Sequence, residues 1–316
     1  MEWAAYAHTP VYSSLSVVCS LRSLFYSLVF VLWSLFFHGG FLKHFDLHVH
    51  TPYCGHAKGS AEETVQFAIE RKLDILGFSE HFPYPESYQA PIPNCVVPRD
   101  LWNDYLNEIR KLQKLYMNQI EIRVGVEFDF LPGYEKEISN HILRFDFDYI
   151  YGSIHLIENI GIDYNEKYLS RHLRLLGGVD AMWEKYWKYM EKMVRMEICD
   201  IIAHFDLPKK LKAGQTVKDQ TDAFRHILEL IKKNNRVLEI NTGGIDRGYH
   251  REPYPSRQIL QHAAELGIEM TLGSDAHAPG QTGRYFKQAV DLLKAYGWKY
   301  VVVFKNRKKE YINLYE

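Results

Sequence analysis

Seven short runs of apolar and β-branched residues recur along residues 43–274, and stretches with helical spacing fall between and after them. The runs are 43–49 (KHFDLHV), 73–79 (LDILGFS), 120–128 (IEIRVGVEF), 147–156 (FDYIYGSIHL), 199–205 (CDIIAHF), 237–242 (VLEINT) and 269–274 (EMTLGS). Helical spacing marks 60–72, 101–116, 182–198, 219–233, 256–266 and 283–296. The first of these opens with a capping box, Ser60 with Glu63, ahead of apolar Val65, Ala68 and Ile69. Strands that alternate with helices in this way build a parallel sheet. No position among the seven units offers the crossover of an open sheet, so the pattern predicts a closed α/β barrel.

The ends of the runs carry the chemistry. In order they finish in His48 and His50, Glu80 and His81, Glu127 and Asp129, His155, His204 and Asp206, Asn241, and Asp275 and His277. In a parallel barrel all strand carboxyl ends meet on one face, where active sites sit. A lone histidine at a strand end is commonly structural. Six of seven runs ending in His, Asp or Glu is a different matter, and it predicts one shared pocket. Imidazole and carboxylate donors suit zinc, manganese or iron without thiolate. The two-residue strand period puts His48 and His50 on one side, and likewise His204 with Asp206 and Asp275 with His277. A carboxylate such as Glu127 can bridge two cations, and so many donors predict two or three divalent ions.

Composition narrows the class. The 316 residues are 47% hydrophobic and 24% charged, enough for a sizeable core and too apolar for wholesale disorder. Lys plus Arg number 38 and Asp plus Glu 39, a balance that argues against a nucleic-acid or membrane-coating protein. Cys19, Cys54, Cys95 and Cys199 stand far apart without a CxxC pair, as free thiols of a reducing compartment do. A cytoplasmic enzyme is expected.

Residues 1–42 read separately from the domain expected over 43–316. Val11 to Phe37 is almost wholly apolar or small, broken by Arg22, and LFYSLVFVLWSLFF (24–37) is dense enough to suggest a membrane anchor. A secretory signal fits poorly, because Glu2 is the one charge before the run and HGGFLK makes a weak cleavage site. A buried helix would want a polar face. The reading favoured here is that the native protein begins at Leu42, the residue a translated alternative start codon would show; a genuine anchor would make the protein membrane-tethered.

The pieces DLHVHTPYCGHA, LGFSEHFP, GVEFD, GSIH, AHFDLPK and GSDAH resemble the polymerase and histidinol phosphatase (PHP) superfamily. Their order and the text between them look most like its histidinol-phosphatase branch, from about Lys43 almost to the carboxyl terminus. The resemblance implies a distorted seven-stranded βα barrel with a trinuclear metal site. Carried onto matching positions, one ion would take His48, His50, Glu127 and Asp275. A second would share Glu127 and add His155 and His204, and a third would take His56, His81 and His277. Asp206 is the candidate acid, with His81 and Glu80 beside the metals as acid–base or orienting groups. No GxxxxGK[ST] phosphate loop is present, so water activated by cations is the expected nucleophile.

The substrate implied by the resemblance is L-histidinol phosphate. Lys58, Arg171, Arg174, Arg247, Arg257 and Arg284 are the cationic candidates for its phosphate, Arg171 first among them because 158–178 leaves the fourth strand at the active face. The Pro-rich segment 82–99 could wall the pocket with Phe82, Tyr84 and Tyr88. The aromatics of WEKYWKYMEKM read as helix packing. Rival readings are an amidohydrolase, which would normally carry a bridging lysine where Glu127 stands, and a nuclease, which would want a basic groove. No nucleic acid partner is expected.

Overall fold

Strands covered on both faces read as continuous apolar runs, and all five residues of FDLHV (45–49) are buried. The computed structural model describes residues 43–315, so the apolar run 11–37 and the question of Leu42 lie outside the described residues. Elements follow in the order β1 (Phe45–Val49), α1 (Ala61–Glu70), β2 (Ile75–Phe78), α2 (Trp102–Leu115), β3 (Glu121–Asp129), α3 (Glu135–Ile142), β4 (Tyr149–Ser153), β5 (Leu156–Ile157), β6 (Ile160–Gly161) and α4 (Glu166–His172). Then come α5 (Val179–Val194), β7 (Ile201–Ile202), α6 (Thr221–Lys233), β8 (Val237–Asn241), α7 (Gly243–Arg247), α8 (Arg257–Glu265), β9 (Met270–Gly273), α9 (Phe286–Ala295), β10 (Tyr300–Lys305) and β11 (Lys308–Asn313).

Seven of these strands form one parallel sheet in the order β1-β2-β3-β4-β7-β8-β9. The sheet is a distorted seven-stranded βα barrel, as the alternating pattern predicts. Its seam is irregular: β1 and β9 meet through a bridge between Val49 and Ala276, with His50 N donating to Ala276 O at 2.9 Å and Ala276 N to His48 O at 3.2 Å. Below that bridge a side chain replaces the ladder. Asp46, fully buried, accepts from Ser274 N at 3.0 Å, Ser274 Oγ at 2.5 Å, Gly283 N at 2.8 Å and His48 N at 3.1 Å. The interior is filled by Tyr149 and Tyr151. Gly125 makes room, since a Cβ there would lie 2.1 Å from the Tyr149 ring.

The expected run 147–156 stops as a barrel strand at Ser153 and turns into the β5–β6 hairpin, while 199–205 keeps only Ile201 and Ile202 in the ladder. Helices α3 and α4, of eight and seven residues, are too short for periodicity to mark. On α5, Trp183, Tyr186, Trp187 and Met190 are buried, the packing role expected of that aromatic stripe.

The β10–β11 hairpin, which the strand pattern does not reach, covers the opposite end. Acidic residues at the strand starts receive it: Lys305 pairs with Glu121, Lys309 with Glu269 and Arg307 with Asp200, and Asn306 N donates to Asp148. The carboxyl-end mouth is thereby the open one. Cys54, Cys95 and Cys199 are free thiols, and among the described residues no helix is long and apolar enough to cross a membrane. Asp46→Ala would strand the Ser274 and Gly283 amides in the seam, and is expected to cost about 2–4 kcal/mol in a denaturant melt; a loss below about 1 kcal/mol would show that the seam holds without it.

Candidate metal centre

The strand ends bring the imidazoles together as the two-residue period demands. Three buried carboxylates then set how they face. Glu239 Oε1 lies 2.6 Å from His48 Nδ1, Glu80 Oε1 lies 3.2 Å from His50 Nδ1, and Asp129 Oδ1 bonds His155 Nδ1. A carboxylate can only accept, so each of these Nδ1 atoms carries the proton. The three Nε2 atoms are left as lone-pair donors, and they converge.

Glu127 stands in the middle. Its Oε2 lies 3.4 Å from His48 Nε2, 3.5 Å from His50 Nε2 and 3.1 Å from His81 Nδ1. Its Oε1 lies 3.0 Å from His204 Nε2 and 3.8 Å from His155 Nε2. Asp275 Oδ1 completes one side, 3.4 Å from His50 Nε2 and 3.9 Å from His48 Nε2. His56, on the outer rim, places Nε2 3.0 Å from His277 Nε2.

These residues fit divalent cations. His48 and His50 bring their Nε2 atoms within 3.1 Å of each other, close enough for both to meet one cation. Glu127 Oε2, buried, has no hydrogen-bond partner among the described residues. Three groups could each hold an ion: His48 with His50 and Asp275, His81 with Glu127 and His155, and His50 with His81 and His277. His81 thus stands between two of the groups, where the expectation gave it to one.

Burial lowers His48, His50 and His155, but Glu239 and Glu127 hold His48 well above the usual imidazole range, Asp275 and Glu80 raise His50, and Asp129 raises His155 to about 10, so a metal ion would displace a second proton from these rings. Burial raises Glu127, yet His81 and His48 hold it well below the usual carboxylate range. Burial also raises Asp275, and Arg247 and His50 bring it well below. The His81 imidazole is pushed down to about 3 by burial and by His50, so it is a neutral donor near pH 7. Asp275 itself has left-handed backbone, φ +53°, strain of the kind that folds retain at working sites.

The other expected site residues sort differently. Glu80 does not line the cleft. It is fully buried and accepts from Thr51 N at 2.6 Å and His81 N at 2.9 Å, so it orients His50 rather than exchanging protons with a substrate. Asp206 is turned away from His204: with β7 reduced to two residues the strand period is lost. Its Oδ2 accepts from Ser256 N and from buried Lys209, each at 3.0 Å, while its buried Oδ1 has no hydrogen-bond partner among the described residues.

Of six basic candidates, Arg247 alone lines the cleft, donating to Asp275 Oδ2 at 2.7 Å and lying 3.0 Å from His277 Nδ1. Arg171, Arg174 and Arg257 are exposed outside the cleft walls, Lys58 is exposed beside the rim with its N donating to His277 O at 2.8 Å, and Arg284 pairs with Asp246. Helix α4 begins beside the cleft, two residues after Tyr164, but Arg171 lies in its last turn, where it is exposed and outside the cleft walls. Sequence reasoning missed Lys210, Asp163, Tyr254 and Glu239. Only Glu239 left a signal: it lies two residues before Asn241 on one strand and so shares its inward face.

The cleft holds about 370 Å³ and is lined by His56, His81, His155, His204, Asp275 and His277 on the donor side. A parallel barrel with this cluster at its mouth defines a metal-site hydrolase of the PHP class. The PHP domain family matches residues 46–243, and the chain belongs to it. A Deinococcus radiodurans protein named a probable histidinol-phosphatase is 36% identical over 265 residues, 84% of this chain and 98% of its own length. The histidinol-phosphatase of Bacillus subtilis is 26% identical over 271 residues, 75% of this chain and 95% of that protein. The Lactococcus lactis histidinol phosphate phosphatase, solved with zinc, L-histidinol and phosphate, superposes with a TM-score of 0.69 at 23% identity, covering 85% of this chain and 100% of that one.

Support by carboxylates behind metal-bound imidazoles is ordinarily worth about 10–100-fold in affinity. Glu80→Ala, which frees the His50 ring, is expected to weaken zinc binding by about that factor in a chelator competition titration. Unchanged affinity would remove Glu80 from the support of His50.

Proposed function

We propose that this protein is a metal-dependent phosphomonoesterase that hydrolyses L-histidinol phosphate to L-histidinol and phosphate. The observation that carries the reading is the cleft, where donors for cations share one cavity with the Asp163 carboxylate, paired to Lys210 through one oxygen, among aromatic and apolar walls. The similarity along nearly the whole of the Deinococcus and Bacillus relatives supports the same substrate.

In this reading His48, His50, Glu127 and Asp275 hold one cation, and Glu127, His155 and His204 a second. His56, His81 and His277 hold a third, the ions being zinc, manganese or iron. Such ions lower the pKa of water and neutralise phosphoryl oxygens when bound. The protein's own groups do the rest. Arg247, fixed on Asp275, offers a guanidinium to the phosphate oxygens.

Asp163 gives the substrate's amine a partner. The β6 turn brings it to the cleft, because Ile162 N donates to His155 O at 3.0 Å. Its Oδ2 takes Lys210 Nζ at 2.7 Å, and its Oδ1 has no partner among the described residues. Burial raises its pKa, and Lys210 and His155 bring it down to about 2, so it is a carboxylate wherever histidinol carries its ammonium group. Tyr84, Ile92, Leu156 and Tyr164 line the same cavity and suit a flat ring.

Elemental analysis joined to phosphate release over histidinol phosphate, ribose phosphates and a nuclease substrate tests the whole reading. Bound divalent metal with histidinol phosphate preferred is expected. A metal-loaded protein that releases no phosphate from it would overturn the assignment. Losing one charge-assisted contact costs about 1.5–3 kcal/mol, so Asp163→Asn is expected to raise KM for histidinol phosphate roughly tenfold or more. Arg247→Ala is expected to raise KM by a similar factor, while Arg171→Ala should keep it within about twofold. Steady-state kinetics read both, and the reverse ranking would return the phosphate to helix α4.

A further inference from the structure

Among the described residues, the carboxylate of Glu239 alone joins two donor sets from behind. Its Oε1 holds His48 Nδ1 at 2.6 Å, while its Oε2 accepts from the backbone N of His204 at 2.9 Å. Asn241 Nδ2 donates to the same Oε2 at 3.0 Å, and Asn241 Oδ1 in turn accepts from Gly243 N at 2.9 Å, so the carboxylate cannot swing freely. Glu239 and His48 are both fully buried. His48 belongs with His50 and Asp275, whereas His204 faces the opposite oxygen of Glu127.

Reaching His48 from β8 requires crossing β9, which lies between β8 and the seam with β1. Gly273 opens that path. A Cβ at this position would lie 1.9 Å from Glu239 Oε1 and 2.6 Å from the His48 Cβ. The His204 end is equally specific, because that residue has a φ of +20°, outside the comfortable regions for a side chain of its size. The hydrogen bond from its backbone N to Glu239 holds this turn, together with the one from Leu207 N to His204 O at 3.0 Å.

We propose that Glu239 is a positioning residue that couples two cation positions, the one built on His48, His50 and Asp275 and the one built on Glu127, His155 and His204. The inference rests on the metal-dependent reading above. A cation at the first position fixes the His48 ring, whose Nδ1 proton fixes the Glu239 carboxylate, and the carboxylate fixes the amide of His204. The second cation then meets donors already ordered, and by linkage the effect runs equally in reverse. The two positions fill and empty over one range of free metal.

Glu239→Gln tests this, since a single carbonyl oxygen of the same size can serve His48 or the His204 amide but not both. Zinc per chain is measured across a series of buffered free-zinc concentrations. Wild type is expected to fill the two positions in one steep step. In E239Q the step splits, with one position about 10–100-fold weaker. Gly273→Ala, which displaces the carboxylate from the outside, is expected to split it in the same way. Wild type filling in independent steps, or either variant keeping the wild-type steepness, overturns the proposal. Cation-free E239Q is expected to melt within about 5 °C of cation-free wild type. A variant unfolded without zinc overturns the coupling in favour of a role in the barrel itself. Wild type that takes up no zinc at all instead overturns the metal-dependent reading beneath it.

Discussion

Three buried carboxylates hold the Nδ1 protons of three histidines, and the rest of the site follows from that constraint. An imidazole has one lone pair to give, and whichever nitrogen carries the proton decides where it points. With Glu239 behind His48, Glu80 behind His50 and Asp129 behind His155, the Nε2 lone pairs face inward around Glu127. Without these partners the rings would be free to offer either nitrogen or to rotate. A cluster of this density would then lose the orientation that lets it concentrate positive charge.

The barrel and the cluster are one construction. In FDLHVH the alternation of strand faces places Asp46, His48 and His50 on the same side. Asp46 holds the seam by accepting from Ser274 and Gly283, while the next two inward positions carry donors. The chain therefore closes its sheet and begins its metal cluster with the same five-residue strand. The other end of the barrel is occupied by the β10–β11 hairpin, whose basic residues meet acids at the strand starts. Polar groups at the two ends thus have opposite uses, ion pairing below and ligation above.

Much of this was legible in the sequence because it is local. A two-residue period needs only neighbouring residues, and it aligns His48 with His50 and Asp275 with His277. The ends of strands are marked by where apolar runs stop. What was not legible depends on distant geometry. The inward reach of Glu239 needs Gly273 on the next strand to lack a side chain. The opposite facing of His204 and Asp206 needs β7 to end at Ile202. The sorting of Arg247 from Arg171 needs α4 to begin beside the cleft and carry Arg171 in its last turn, outside the cleft walls. The alternation gives Glu239 its inward face but not its reach to His48, which depends on a residue of the next strand, and the other two depend on how the backbone turns once a strand has ended, which spacing does not record.

The division between rigid and connecting elements has a further consequence. Most donors to the cluster sit on strands or within a few residues of their ends, on the part of the barrel least able to move. The groups that face the remainder of the cleft come from elsewhere: Tyr84 and Ile92 from the long segment after β2, Asp163 from the turn after β6, Lys210 from the segment after β7 and Arg247 from the short helix α7. Connecting segments tolerate change that a barrel strand does not. In the proposed function the chemistry of phosphate release falls to one set of residues and the choice of the ester to another. Two residues of the second set reach into the first: Arg247 touches Asp275 and His277, and the Tyr84 hydroxyl donates to Asp129, the carboxylate behind His155. A change at either must act on both functions.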